Sequence, residues 1–301
     1  MNFDCLKYTK EATVIFDTDM CGDVDDVGAL YLLLNASKKY GFSIGGIAVN
    51  VNSVNEYPAI MALLEEQEMT HIPVGVYDGE NPESGNYAPY VEFLARQYDG
   101  EIREITAAEI YKTVLSNAED SSVVVVSVGF FNNINRARNA NVELFDKKVR
   151  TVVAMAGRFD DVGGFPEFNI REFADDSKEF IENFNGEIIF GGFEIGYKVM
   201  TDLRDVVGDS LLIEAYRIYT DGKMMRESWD PLTVDFAVNG ENEFYSLSDR
   251  GKVDVLEDRS TQFTPCDNGN CKYIILNKSF IETGEYISDA IKETILKNIT
   301  A

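Results

Sequence analysis

The chain has 301 residues, 52 of them acidic and 27 basic, so with its single histidine neutral the formal charge is −25. A field of that sign repels phosphates and anionic surfaces, which argues against nucleic acid or an acidic membrane as a partner. With 45% apolar and 12% aromatic residues, the chain can bury a large core and is not a disordered polymer.

In chain order, residues 12–16 form a short apolar β-branched run, followed by an aspartate-rich loop and then helical spacing over 27–34, which predicts strand, loop and helix. The pattern recurs as a strand at 44–49 with a helix at 58–64, and a strand at 123–128 with a helix at 132–140. Further strands are predicted at 74–77, 149–156, 188–190 and 197–200. Antiparallel strands are predicted at 244–258 and 272–276, and a closing helix at 279–298.

The run Val123-Val124-Val125-Val126 is apolar without alternation, as in a strand covered on both faces. The expected class is α/β: a mostly parallel central sheet with helices on both faces and a small antiparallel C-terminal addition. With no repeat, low-complexity tract or Pro/Ser-rich linker, residues 1–301 are expected to form one domain.

No run of about 18 apolar residues occurs, and the first residues show no basic start followed by an apolar stretch, so a soluble cytoplasmic protein is expected. Cys5, Cys21, Cys266 and Cys271 are too few and too scattered for a disulfide framework. Cys266 and Cys271 flank the turn sequence Asp267-Asn268-Gly269-Asn270, so they are expected as ordinary thiols facing each other across a hairpin.

The loop Asp17-Thr18-Asp19-Met20-Cys21-Gly22-Asp23-Val24-Asp25-Asp26 holds five carboxylates at the end of a buried strand. Packing that much like charge is unfavourable without a cation, although one or two such acids could simply cap a helix N-terminus. Oxygen ligands with no nearby His or Cys favour Ca²⁺ or Mg²⁺ over Zn²⁺. Counted from Asp17, an EF-hand fails, with Cys21 fifth and Gly28 twelfth. A Mg²⁺-dependent haloacid-dehalogenase-like phosphatase would use Asp17 and Asp19 as nucleophile and acid, but it has no need of Asp25-Asp26.

An Asp-x-Asp after the first strand, then Gly22, then an Asp-Asp pair opening a helix, resembles the inosine–uridine-type nucleoside hydrolases, in a branch with a longer Gly-x-Asp-Val-Asp-Asp segment. The resemblance extends to Glu167-Phe168-Asn169, to Ser228-Trp229-Asp230-Pro231-Leu232 and to Asn50 at the end of the second strand, and spans about residues 12–240. It implies a Rossmann-like nucleoside-hydrolase fold and Ca²⁺ held by Asp19, Asp26, Asp230 and the Val128 carbonyl. It also implies ribose recognition by Asp25, Asn50, Glu167, Asn169 and Asp230, with Asp19 as general base on a calcium-bound water. A dimer or tetramer acting on a small nucleoside is implied as well.

The chain departs from the family where a histidine commonly precedes the Asp-Pro element, since Trp229 stands there. Trp229 is therefore expected to stack on the nucleobase, and Tyr87 or Tyr90 to donate the proton to the leaving group. His71, before the strand at 74–77, is expected to be structural. The third-strand loop Glu80-Asn81-Pro82-Glu83-Ser84-Gly85-Asn86 replaces the family's His-Gly loop. A phosphorylated substrate is disfavoured by the lack of clustered Lys or Arg. The phosphatase, and a riboside-binding homologue without catalysis, stay open on the sequence.

Overall fold

The structure is a computed structural model that describes residues 11–20, 22–82, 88–160 and 165–299. The first half alternates strand and helix: β1 (Thr13–Thr18), α1 (Asp25–Tyr40), β2 (Ser43–Val49), α2 (Glu56–Glu66), β3 (Val74–Val76), α3 (Pro89–Ala95) and α4 (Ala107–Asn117). Pro89 occupies the first turn of α3, and a Thr106–Glu109 capping box opens α4. The alternation continues with β4 (Val123–Ser127), α5 (Asn132–Ala140), α6 (Val142–Lys148), β5 (Val149–Met155), α7 (Phe168–Glu172), α8 (Ala174–Asn183), β6 (Glu187–Gly191) and the single turn α9 (Phe193–Gly196). Next come β7 (Met200–Asp202), α10 (Leu211–Tyr219), β8 (Met225–Glu227) and α11 (Trp229–Asn239). The C-terminal part is β9 (Tyr245–Leu247), β10 (Gly251–Val255), β11 (Thr261–Pro265), β12 (Cys271–Leu276) and α12 (Phe280–Ile299).

The main sheet runs β11-β10-β12-β6-β5-β4-β1-β2-β3, with β9 paired to β12. Pairings from β3 through β6 to β12 are parallel, and β9, β10 and β11 supply the antiparallel edge. Alternation along the strands divides the core into two layers. Val124 and Val126 pack with α1, α2, α3, α10, α11 and α12, while Val123 and Val125 pack with α4, α5, α6 and α8. Burial of each such valine contributes roughly 1.5–3 kcal/mol, so the central strands anchor the scaffold.

Strand order reverses between β1 and β4, since β1 leads on to β2 and β3 while β4 leads on to β5 and β6. The crevice beyond the carboxyl ends of those two strands is where open α/β sheets bind ligands. Asp19 follows β1 there and Val128 follows β4. His71 lies in the exposed turn that enters β3, at the opposite end of the sheet.

Three expectations need correction. Residues 197–200 are not a strand: Tyr197 ends the α9 turn and stacks on Phe193 four residues earlier (5.3 Å, 26°), and only Met200 enters β7, which pairs with β8 in a separate two-stranded sheet. β12 is antiparallel to β9 and β10 but parallel to β6, because the chain crosses the sheet before entering it. Cys266 and Cys271 do not face each other across a hairpin, since β10 lies between β11 and β12. Both are free thiols, and burial pushes Cys271 up to about 11. Among the described residues, no helix is long and apolar enough to cross a membrane.

Candidate active site

A cavity of about 300 Å³ opens at the β1/β4 crevice, lined by Asp19, Asp25, Asp26, Val128, Glu167, Asn169 and Asp230, with Phe168, Phe193, Tyr219, Arg226 and Trp229 among its remaining walls. The aspartate loop brings its acids here because β1 ends in the crevice and α1 begins at Asp25. Asp25 Oδ2 accepts the backbone N–H groups of Trp229 and Asp230, each at 3.1 Å. The first residue of α1 thus caps α11, and the positive ends of two helix dipoles converge on the acids.

Carboxylate oxygens of Asp25, Asp26 and Asp230 lie within 4.8 Å of one another. Asp19 lines the same cavity, and Thr18 Oγ1 donates to Asp26. Burial, and after it the repulsion of neighbouring carboxylates, pushes Asp19, Asp25, Asp26 and Asp230 far above the ordinary aspartate range. Among the described residues the one arginine in the lining, Arg226, is bound to Asp23, a further acid of the same lining. A buried all-oxygen set of this charge fits a hard divalent cation, which would remove the repulsion. Among the described residues, no His or Cys lines the cavity.

Asp17 takes a different place. As the fifth residue of β1, it points by strand alternation toward the α4 layer, where Tyr111 Oη donates to Oδ2 at 2.6 Å and Asn50 Nδ2 to Oδ1 at 2.5 Å. Burial still outweighs these donors and raises it to about 7. Asn50 is fully buried behind the cavity and is not part of its lining: Nδ2 also reaches Phe130 O (3.0 Å) and Asn132 Oδ1 (2.9 Å), and Oδ1 accepts Phe130 N–H at 3.1 Å. A Cβ on Gly129 would stand 2.1 Å from Asn50 Oδ1 and 2.5 Å from the Asp19 nitrogen, so only glycine lets β4 close onto the aspartate loop.

Glu167 caps α7, accepting Asn169 N–H (2.8 Å) on Oε1 and Gly157 and Ile170 N–H (3.0 and 3.1 Å) on Oε2. Burial raises it to about 7 against those donors. Asn169 Nδ2 bonds Val128 O at 3.0 Å and Met155 O at 2.9 Å, tying β4, β5 and α7 together at the cavity edge.

The aromatic wall centres on Trp229, whose Nε1 donates to Phe193 O at 2.8 Å and whose ring stacks on Phe193 at 5.5 Å. A Cβ on Gly196 would lie 2.3 Å from the Trp229 ring, so the indole rests on a glycine. The Tyr90 hydroxyl donates to the Asp23 carbonyl, and Tyr90 is not part of the cavity lining. Tyr87 and Cys21 lie outside the described residues. Arg226, Tyr219 and Phe193 were missed by sequence reasoning. A lone arginine in a short polar strand carries no pattern; only its place three residues before Trp229 could have pointed to it.

No protein-family model matches the chain, and no curated protein matches it in sequence. Solved structures do. An inosine–guanosine nucleoside hydrolase superposes with a TM-score of 0.72 at 18% identity, covering 95% of this chain and 99% of its own. The fold is that of the nucleoside hydrolases. An inosine–uridine preferring nucleoside hydrolase from Bacillus anthracis gives 0.72 at 17% identity, covering 94% and 99%, and a plant nucleoside hydrolase gives 0.69 at 19%, covering 95% and 99%. Within this nucleoside-hydrolase fold, the acid cluster occupies the crevice where the strand order reverses.

Proposed function

We propose that the protein is a calcium-dependent hydrolase of the N-glycosidic bond of ribonucleosides. The observation that carries this reading is the convergence of Asp25 and Asp26 with the chain-distant Asp230, within 4.8 Å, in the crevice of a nucleoside-hydrolase fold.

In this reading Asp19, Asp26, Asp230 and the Val128 carbonyl hold Ca²⁺. When bound, the cation supplies neutralisation of the acids, loose coordination with room for ribose hydroxyls, and a lowered pKa for water. Asp19 takes the proton of the attacking water as general base. Asp25, with one oxygen committed to the start of α11, offers the other to the 2′-hydroxyl. Glu167 and Asn169, locked by their backbone partners, present acceptors and donors to the sugar, and Asp230 reaches the 3′-hydroxyl. Asn50 acts from behind, holding Asp17 and the end of β4 in register. The surrounding carboxylates stabilise positive charge as it develops on the sugar. Trp229 forms the wall against which the base lies.

The position of Asp17 speaks against the phosphatase. A nucleophile must face substrate, and its two oxygens are bonded to Tyr111 and Asn50 behind the cavity. The net charge of −25 supports a small unphosphorylated substrate.

Incubation with a ribonucleoside panel, with and without chelator, tests the proposal by the free ribose released. Ribose is expected with Ca²⁺ and none after chelation. Full turnover in chelator contradicts it, and tight nucleoside binding without turnover would mark a binding protein instead.

A further inference from the structure

Cleavage of a C1′–N bond leaves an electron pair on the departing base, and something must meet that charge. The cavity lining has no histidine among the described residues. Tyr219 lines it, but burial and then Asp23 hold its hydroxyl well above the ordinary tyrosine range, so it is a poor proton donor. Arg226 is the lining's one cation among the described residues.

Its guanidinium is held in place on three sides. Nε reaches Asp23 Oδ1 at 2.9 Å and Oδ2 at 3.0 Å, Nη2 also bonds Oδ2, and Nη1 reaches Glu227 Oε2 at 2.8 Å. It lies over the rings of Tyr219 (5.4 Å) and Trp229 (5.2 Å), a cation–π setting that fixes its plane at the aromatic wall. A guanidinium carries five N–H groups. Among the described residues, the second N–H on each of Nη1 and Nη2 has no acceptor.

We propose, resting on the hydrolase reading above, that Arg226 assists the leaving base by donating a hydrogen bond to its acceptor edge and stabilising the negative charge it takes away. The C1′–N bond breaks with its pair going to the base, the water oxygen bonds C1′, and the water proton goes to Asp19. Arg226 keeps its own protons, as a permanently charged group must, and the released base takes a proton from solvent. The substrate class follows: neutral purine or pyrimidine nucleosides, whose bases leave as anions and offer a ring nitrogen or carbonyl oxygen. Ribosides whose base is already cationic gain nothing from this residue.

A merely structural Arg226, clamping the Asp23 loop, would affect every substrate alike. The test therefore compares inosine and uridine with p-nitrophenyl β-D-ribofuranoside, whose leaving group is stable as an anion, using the full chain with Ca²⁺. Arg226→Gln is expected to lower kcat/KM on the nucleosides by about 100-fold and on the nitrophenyl riboside by no more than about threefold. Thermal melting and Ca²⁺ titration confirm that the variant is folded; if it is not, Arg226→Lys, which keeps the charge and loses the fork, should show a smaller loss that still falls on the nucleosides and spares the nitrophenyl riboside. Equal losses on both kinds of substrate overturn the inference and leave the hydrolase reading standing. Wild-type turnover of the nitrophenyl riboside alone, an O-glycoside, overturns both the inference and the nucleoside reading, as does turnover of neither.

Discussion

Asp17 and Asp19 are two residues apart and both buried, yet they belong to different chemistries. Asp17 faces donors: Tyr111 and Asn50 hold both its oxygens. Asp19 lines a cavity with Asp25, Asp26 and Asp230, where acids face acids and repulsion adds to the cost of burial. A buried carboxylate with its own donors is a structural brace. One surrounded by other carboxylates needs a cation, and that difference separates a site from a scaffold.

The contrast breaks most completely at the cluster itself. Asp26→Ala should reduce ribose release to background, because in the proposed site it removes a cation ligand, while thermal melting shows the chain still folded. Near-wild-type turnover would place Asp26 with the braces. Gly129→Ala should come next. Its methyl group must displace the Asp19 backbone or Asn50, and misplacement on that scale costs up to about 10²-fold in kcat. Unchanged kinetics would show that β4 need not close onto the loop.

Asp17→Ala sharpens the other half. It strips acceptors from Tyr111 and Asn50, and an unpaired buried polar group costs about 1–3 kcal/mol. Urea denaturation should register that loss while the Ca²⁺ affinity of the folded variant holds. A large fall in affinity without loss of stability would place Asp17 among the ligands instead.

The smallest effect is expected at Asp235, buried on α11 away from the cavity, where Asn239 Nδ2 (2.8 Å) and Tyr286 Oη (3.3 Å) reach Oδ1. Burial pushes it up to about 6, so the folded state holds its proton when the unfolded chain has released it. The stability this contributes is complete below about pH 4 and is lost as pH rises toward 6. Asp235→Asn should remove this decline, on the order of 1–3 kcal/mol. Parallel wild-type and variant stability curves between pH 4 and 7 would contradict it.

Much of this was legible in the residues. The unalternating valines of β4, the strand-loop-helix read over 12–34 and the Asp-rich loop identified a mostly parallel sheet with an acidic site at a strand end. The resemblance already set Asp19 apart from Asp17, but the physical reason was not legible, because it depends on β1 continuing to Thr18, two residues beyond its apolar run, which turns Asp17 onto the α4 face. Asn50 was read as a sugar contact. Its strand-end position was right, but which way an amide points is settled by the packing of β1 and β4. Arg226 and Tyr219 gave no signal because the ring contacts that define their place join separate elements, α10, β8 and α11.

The proposed site needs one cation held between Asp19, Asp26 and Asp230. Calorimetric titration of the metal-free protein with Ca²⁺ tests it most directly. The expected result is one site per chain in the wild type and none in folded Asp230→Ala. Undiminished binding by that variant would contradict it.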